Sequence, residues 1–157
     1  MPVFGLTNGM IPIVAFNYGA KNKKRIYQTI KLSVLIAVSI MAIGLLVFQL
    51  FPATLLSLFD ASEHMLSIGV PALRTISLSF VFAGFCIVTS SVFQALGNGI
   101  FSMIVSFVRQ IIVLVPVAYL FGRFGSDVWQ VWLAFPIAEC ASVALCIAMF
   151  IYLYKKH

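Results

Sequence analysis

Pro12-Ile13-Val14-Ala15-Phe16-Asn17-Tyr18-Gly19-Ala20-Lys21-Asn22-Lys23-Lys24-Arg25 holds the edge that decides the fold. An apolar run stops at Asn17-Tyr18-Gly19-Ala20 and gives way at once to four cations, Lys21, Lys23, Lys24 and Arg25. Basic residues flanking an apolar span mark the cytoplasmic end of a membrane helix. The composition agrees: 157 residues, 62% hydrophobic and 9% charged, with a mean hydropathy of +1.12. Soluble domains are about half apolar and about a quarter charged. So few charges cannot cover this much apolar surface in water. The chain reads as an all-α integral membrane protein.

A membrane helix needs about 20 mostly apolar residues. Five transmembrane helices are expected, at about residues 2–19, 32–50, 72–96, 101–121 and 129–154. The first is the most interrupted, by Pro2, Gly5, Asn8, Gly9 and Pro12. Lys21 to Arg25 is expected as a short basic loop. Pro52 to Met65 is a longer link holding Asp60, Ser62, Glu63 and His64, and its leucines and Phe59 point to a short interfacial helix. Gly97-Asn98-Gly99 is expected to turn tightly, because glycine and asparagine tolerate positive φ. Gly122 to Asp127 is a second turn. Pro71 is expected in the first turn of its helix, where the missing N–H costs nothing.

Charge sets the direction. With the basic loop in the cytoplasm, alternation puts Lys21, Lys23, Lys24, Arg25, Lys31, Lys155 and Lys156 inside, and Asp60, Glu63 and Asp127 outside. Residues 20–31 and the C-terminus are therefore expected to be cytoplasmic. Trp129, Trp132, Tyr27, Tyr152 and Tyr154 fall near span ends, as interfacial aromatics do. Met1 is followed by Pro2 and an apolar run, with no positive n-region. No signal peptide is expected, and the chain is expected to start partway along a span, with further helices upstream.

The net charge of +6 does not point to nucleic acid, because the cations cluster at span ends instead of spreading over a face. Cys86, Cys140 and Cys146 lie in apolar runs without metal-ligand or disulfide spacing. His64 and His157 stand apart. No arrangement of nucleophile, base or metal ligands marks an enzyme, and no cofactor is expected.

Two charges cannot be assigned to loops. At 1.5 Å per residue, Glu139 and Arg109 both lie roughly 16–18 Å below the outer surface, near the midplane of a core about 30 Å thick. Their spans are joined by a short turn, so a carboxylate and a guanidinium share one depth on adjacent helices. Intramembrane charges are costly and are usually paired or functional. A structural ion pair is one reading; ion coupling through Glu139, tuned by Arg109, is the other. Pro136, three residues before Glu139, leaves the Trp132 carbonyl without its helical donor. Such a kink either lines a cavity or is merely packed, and Pro116 can act likewise. Gln94, Asn98 and Gln110 are candidates for interhelical hydrogen bonds, and Arg74 for snorkelling.

Gly9-x-x-Pro12-x-x-x-x-Asn17-Tyr18-Gly19-Ala20-Lys21-Asn22 resembles the eighth-helix signature of the multidrug and toxic compound extrusion (MATE) transporters. Phe93-Gln94-Ala95-Leu96-Gly97, Arg109-Gln110 and Pro136-x-x-Glu139 are similar to other parts of that family's C-terminal half. The resemblance implies helices eight to twelve, most of the C-terminal six-helix lobe of a twelve-helix transporter, with the N-terminal lobe as its missing partner. It implies a cation-coupled antiporter, using proton or sodium, that exports amphipathic and often cationic drugs by alternating access from the bacterial-type plasma membrane. Glu139 and Arg109 would then be the coupling or ion-pair site. Gln94, Gln110, Pro136, Asn17 and Tyr18 would be cavity or helix-packing positions. One departure stands out: the span at residues 72–96, the tenth by resemblance, holds no Asp or Glu.

Two alternatives remain open. A lipid-linked oligosaccharide flippase of the related superfamily would need a cavity rich in cations, and only Arg109 and Arg74 are candidates. A truncated, non-transporting membrane fragment is the other.

Overall fold

The computed structural model describes residues 1–127 and 129–156. His157 and the side chain of Trp129 lie outside what is described. The chain is all-helical, in the order α1 (Pro2–Gly19), α2 (Lys23–Leu50), α3 (Pro52–Ser57), α4 (Glu63–Ser77), α5 (Phe80–Ala95), α6 (Gly99–Phe107), a π-helical segment (Val108–Leu114), α7 (Val115–Phe124), α8 (Trp129–Trp132) and α9 (Ala134–Lys156). Among the described residues, 3 helical stretches are long and apolar enough to cross a membrane: Lys23–Leu50, Gly99–Phe124 and Gln130–Lys156. A fourth is formed if α4 and α5, bent by 48° at their junction, count as one span. The remaining expected span, α1, has the expected bounds, but its prolines, glycines and asparagines dilute its apolar character.

The middle of the fold is α5. It is apolar on all sides, as a helix surrounded by other helices must be. Val88, Val92 and Ala95 join Val3, Met10 and Val14 of α1 and Ala37 of α2 in one buried cluster. Cys86 and Phe93 join Val105 of α6 and Cys146 and Leu153 of α9 in a second. Small residues let the backbones approach. A Cβ placed on Gly84 would stand 3.0 Å from Met41 Cγ and 3.3 Å from the Ala37 carbonyl oxygen. Lipid offers no hydrophobic drive for helix association, so close packing of this kind carries the contact.

Two connections use one device. After α5, Gly97 adopts φ +78°. The Asn98 N–H then reaches Phe93 O at 2.8 Å, and the Gly97 N–H reaches Gln94 O at 3.0 Å. That is a Schellman cap, and the expected tight turn is its consequence. After α1 the same pair recurs, Asn22 N–H to Asn17 O at 2.9 Å and Lys21 N–H to Tyr18 O at 3.1 Å. Here the left-handed residue is Lys21, at φ 54°.

Several boundaries differ from those expected. Lys21 to Arg25 is not all loop: α2 begins at Lys23, because the Asn22 side chain accepts the Arg25 N–H and caps it. Lys23, Lys24, Arg25 and Lys31 therefore ride on a helix. The link at Pro52 to Met65 contains α3, and α4 starts at Glu63 under a Ser62 cap on the Met65 N–H. His64 is consequently helical, and Pro71 sits inside α4 instead of in its first turn. The expected span 72–96 is broken at Leu78 and Ser79. There Arg74 O, which a continuous helix would pair with the Leu78 N–H, accepts from Gln49 Nε2 of α2 at 2.7 Å and from Ser77 Oγ at 2.9 Å. Gln49 Nε2 also lies 2.9 Å from Ser77 Oγ.

Two outcomes test this packing. Gly84→Leu should lower the stability of the chain in detergent by about 1–3 kcal/mol, read as a reduced thermal midpoint, by forcing α2 and α5 apart. Lys21→Gly should raise stability by roughly 0.5–1 kcal/mol, since a non-glycine residue in the left-handed region is strained.

Candidate functional site

The fourth span is helical from Gly99 to Phe124, but its middle is not an α-helix. From Val108 to Leu114 it widens to the π form. The cause lies just downstream. Pro116 has no N–H for the carbonyl at Ile112, and its ring would crowd that carbonyl in a regular α-helix. Widening the preceding turn moves the carbonyl aside, and π turns of this sort recur at functional sites. Arg109 lies in the widened segment.

The facing helix is interrupted too. α8 ends at Trp132, Leu133 is a turn residue, and α9 starts at Ala134. Pro136 thus sits in the first turn of α9, and Trp132 O has lost the donor that a residue other than proline would supply. The ring of Trp132 stacks on Phe135 across the break, with centroids 6.4 Å apart.

These two irregular stretches meet. Arg109 Nη1 donates to Glu139 Oε1 at 3.4 Å. The Glu139 side chain is 14% exposed and that of Arg109 28%. The pair is incompletely satisfied: Arg109 Nε and Glu139 Oε2 are both buried and have no hydrogen-bond partner among the described residues. A long single contact with an idle carboxylate oxygen differs from a closed, two-pronged bridge. Oε2 is thus not engaged by Arg109.

One side of α9 carries small residues that the sequence reading missed. Ala134, Ala138, Ser142 and Cys146 are all buried and recur every four residues on one side of α9. Ser142 Oγ satisfies itself on Ala138 O at 2.9 Å. This small-xxx-small stripe is legible in the sequence once helix pairing is considered. The Gln49–Ser77 contact was also missed, and its only signal was a glutamine at the end of an apolar span.

The other candidate residues do not converge on Glu139. Gln94 bonds Ser102 Oγ at 2.9 Å, tying α5 to α6 across the Gly97 turn. Asn98 Nδ2 donates back to Leu96 O at 3.3 Å, so its side chain stays within the turn instead of bridging helices. Gln110 is exposed beside Arg109. Asn17 is buried at the end of α1, with Nδ2 donating to Ile13 O at 2.8 Å, and the neighbouring Tyr18 is 40% exposed. Arg74 is exposed in the last turn of α4, the end at which a positive charge is favourable. No group of three or more potential metal-ligating side chains is found among the described residues.

Known proteins supply a family context. The MatE family model matches residues 1–120. The multidrug export protein MepA of Staphylococcus haemolyticus (strain JCSC1435) is 26% identical over 147 residues, which is 91% of this chain and 31% of that protein. The MATE multidrug transporter DinF-BH, solved in complex with a ligand, superposes with a TM-score of 0.86 at 33% identity, over 97% of this chain and 34% of that one. An inward-facing multidrug resistance MATE family transporter of the MOP superfamily superposes with a TM-score of 0.89 at 23% identity, over 99% and 37%. The chain thus spans about a third of the length of the relatives it matches.

Removing one partner of the Arg109–Glu139 pair should cost more than removing both. Arg109→Met alone should destabilise the chain by about 1–3 kcal/mol, and adding Glu139→Leu should recover part of that loss. A double-mutant cycle in detergent checks the coupling.

Proposed function

The chain belongs to the MatE family, and from that membership we propose that it works as part of a multidrug exporter. The exported compounds are amphipathic and often cationic, and a proton or sodium gradient drives them out. The family match over residues 1–120 carries the transport assignment. Similarity to a multidrug export protein and to a multidrug transporter solved with its ligand supports the substrate class. Alternating access requires two bodies moving against each other. In this reading the chain supplies helices of one lobe and acts with an N-terminal lobe. Residues 20–31 and the C-terminus face the cytoplasm, as the charge distribution favours.

Glu139 is the proposed coupling group. The observation behind it is the buried, unpartnered Oε2 on a carboxylate held by one long contact to Arg109. A proton or sodium ion at Oε2 would weaken the hold on Arg109. Arg109 stands on the π turn, and turns of this kind recur at functional sites. Loading the carboxylate would thereby loosen the tie between the fourth span and α9, and a ligand that favours one arrangement of that contact over another shifts the equilibrium between them. If Glu139 were only structural, removing its charge would change stability and leave the ion dependence of export alone.

The test is Glu139→Gln in the full-length exporter. Drug efflux should fall by about tenfold or more in the presence of the driving gradient, while drug binding persists. Efflux with unchanged rate and unchanged ion dependence would eliminate the coupling role and leave the pair as a helix clamp.

A further inference from the structure

An open cleft of about 610 Å3 lies where α1 meets the start of α2, lined by Pro12, Ile13, Phe16, Asn17 and Arg25. Its floor is greasy and unpartnered: Phe16 is 76% exposed and Ile13 48%. Its charged lining residue is Arg25, in the first turn of α2. Lys21 and Lys24 are exposed next to it in the chain.

These cations are poorly accommodated by the chain itself. The first turn of α2 contains no acidic residue. It is the positive end of the helix dipole, where further positive charge is unfavourable. The chain has only 4 acidic residues. Glu139 is taken by Arg109, and no salt bridge reaches Lys21, Lys24 or Arg25 among the described residues. The positive-inside rule explains why cations stand at this level. It does not explain an apolar cleft opening directly beside them.

We propose that this cleft binds an anionic phospholipid. The headgroup phosphate lies against Arg25 and Lys24, and one acyl chain runs along Phe16 and Ile13. Arg25 offers a planar fork that matches phosphate oxygens, and Lys24 adds a point charge. Charge complementarity selects this occupant over others. A cationic amphiphile would be repelled by Arg25. A free inorganic anion has no use for the apolar floor, and a zwitterionic lipid lacks the net charge. The inference does not depend on the transport reading or on Glu139.

The purified chain in detergent, titrated with phosphatidylglycerol or phosphatidylcholine and read by native mass spectrometry, tests it. Phosphatidylglycerol should be retained about tenfold more tightly than phosphatidylcholine, in line with the attraction expected of two or more basic residues for an anionic lipid. Lys24→Gln with Arg25→Gln should abolish that preference. Arg25→Lys should lose part of it, because the fork is gone while the charge remains. Phe16→Ser, on an exposed side chain away from the helix start, should weaken retention of the lipid with the charges intact. Lys155→Gln with Lys156→Gln should change nothing. Equal retention of the two lipids by the unaltered chain would overturn the proposal, as would a loss in the tail variant as large as that in the Lys24/Arg25 variant. Undiminished phosphatidylglycerol binding in the Lys24/Arg25 variant would overturn it too, pointing to lipid held elsewhere on the chain.

Discussion

The close approach of α5 to α2 at Gly84 and Ala37 is the contact on which the rest of the structure depends. Lipid tails are as apolar as leucine, so a membrane helix gains little by exchanging lipid for another apolar helix. It gains by packing closely. Gly84 makes that possible, since any side chain there would meet Met41 and the Ala37 backbone. With α5 held, its opposite side is presented to α6 and α9 through Cys86 and Phe93. The placement of α9, and so of Glu139, follows from that second side.

A second constraint operates wherever the helices stop being regular. Inside a bilayer an unpaired backbone group has no water to turn to. At the α4–α5 bend, Gln49 and the Ser77 hydroxyl supply the Arg74 carbonyl with donors. At Pro116 the preceding turn widens into the π form. At Pro136 the helix restarts after Leu133. The hydroxyls within spans satisfy themselves on the carbonyl one turn back, as Thr89 does on Phe85 and Ser91 on Ile87. Among the described residues, the other buried side-chain nitrogen and oxygen atoms have partners. Against that background, the idle Arg109 Nε and Glu139 Oε2 stand out as a chemical feature.

How much of this was legible beforehand depended on the range of the interactions involved. The bounds of α1 were, because an apolar run ending in cations is a local signal. The Arg109–Glu139 contact was, because rise per residue converts position into depth and a short turn makes neighbours antiparallel. The bend at Leu78 and Ser79 was not. Ile76-Ser77-Leu78-Ser79-Phe80 contains no proline or glycine, and the group that stabilises the break, Gln49, comes from another helix. The start of α2 was missed for a different reason. Lysine and arginine are good helix formers, so a basic stretch that reads as a loop by hydropathy continues as helix once Asn22 caps it. The π turn left one trace, Pro116, but a proline announces a disturbance without saying which form it takes.

The irregular stretches are not scattered. α8 touches both α4 and α7, and the π segment packs on α9. The bend, the widened turn and the restart therefore lie in one connected part of the bundle. The packing among α1, α2 and α5 is otherwise built from helices with no break inside them. Irregular backbone at membrane depth is tolerated where protein or a water-filled cavity surrounds it. An intramembrane carboxylate has the same requirement. Placing Glu139 beside the restart of α9 and Arg109 in the widened turn brings the two together, so one polar environment serves both. The unbroken helices wall that environment on one side, and the irregular ones carry its two charges on the other.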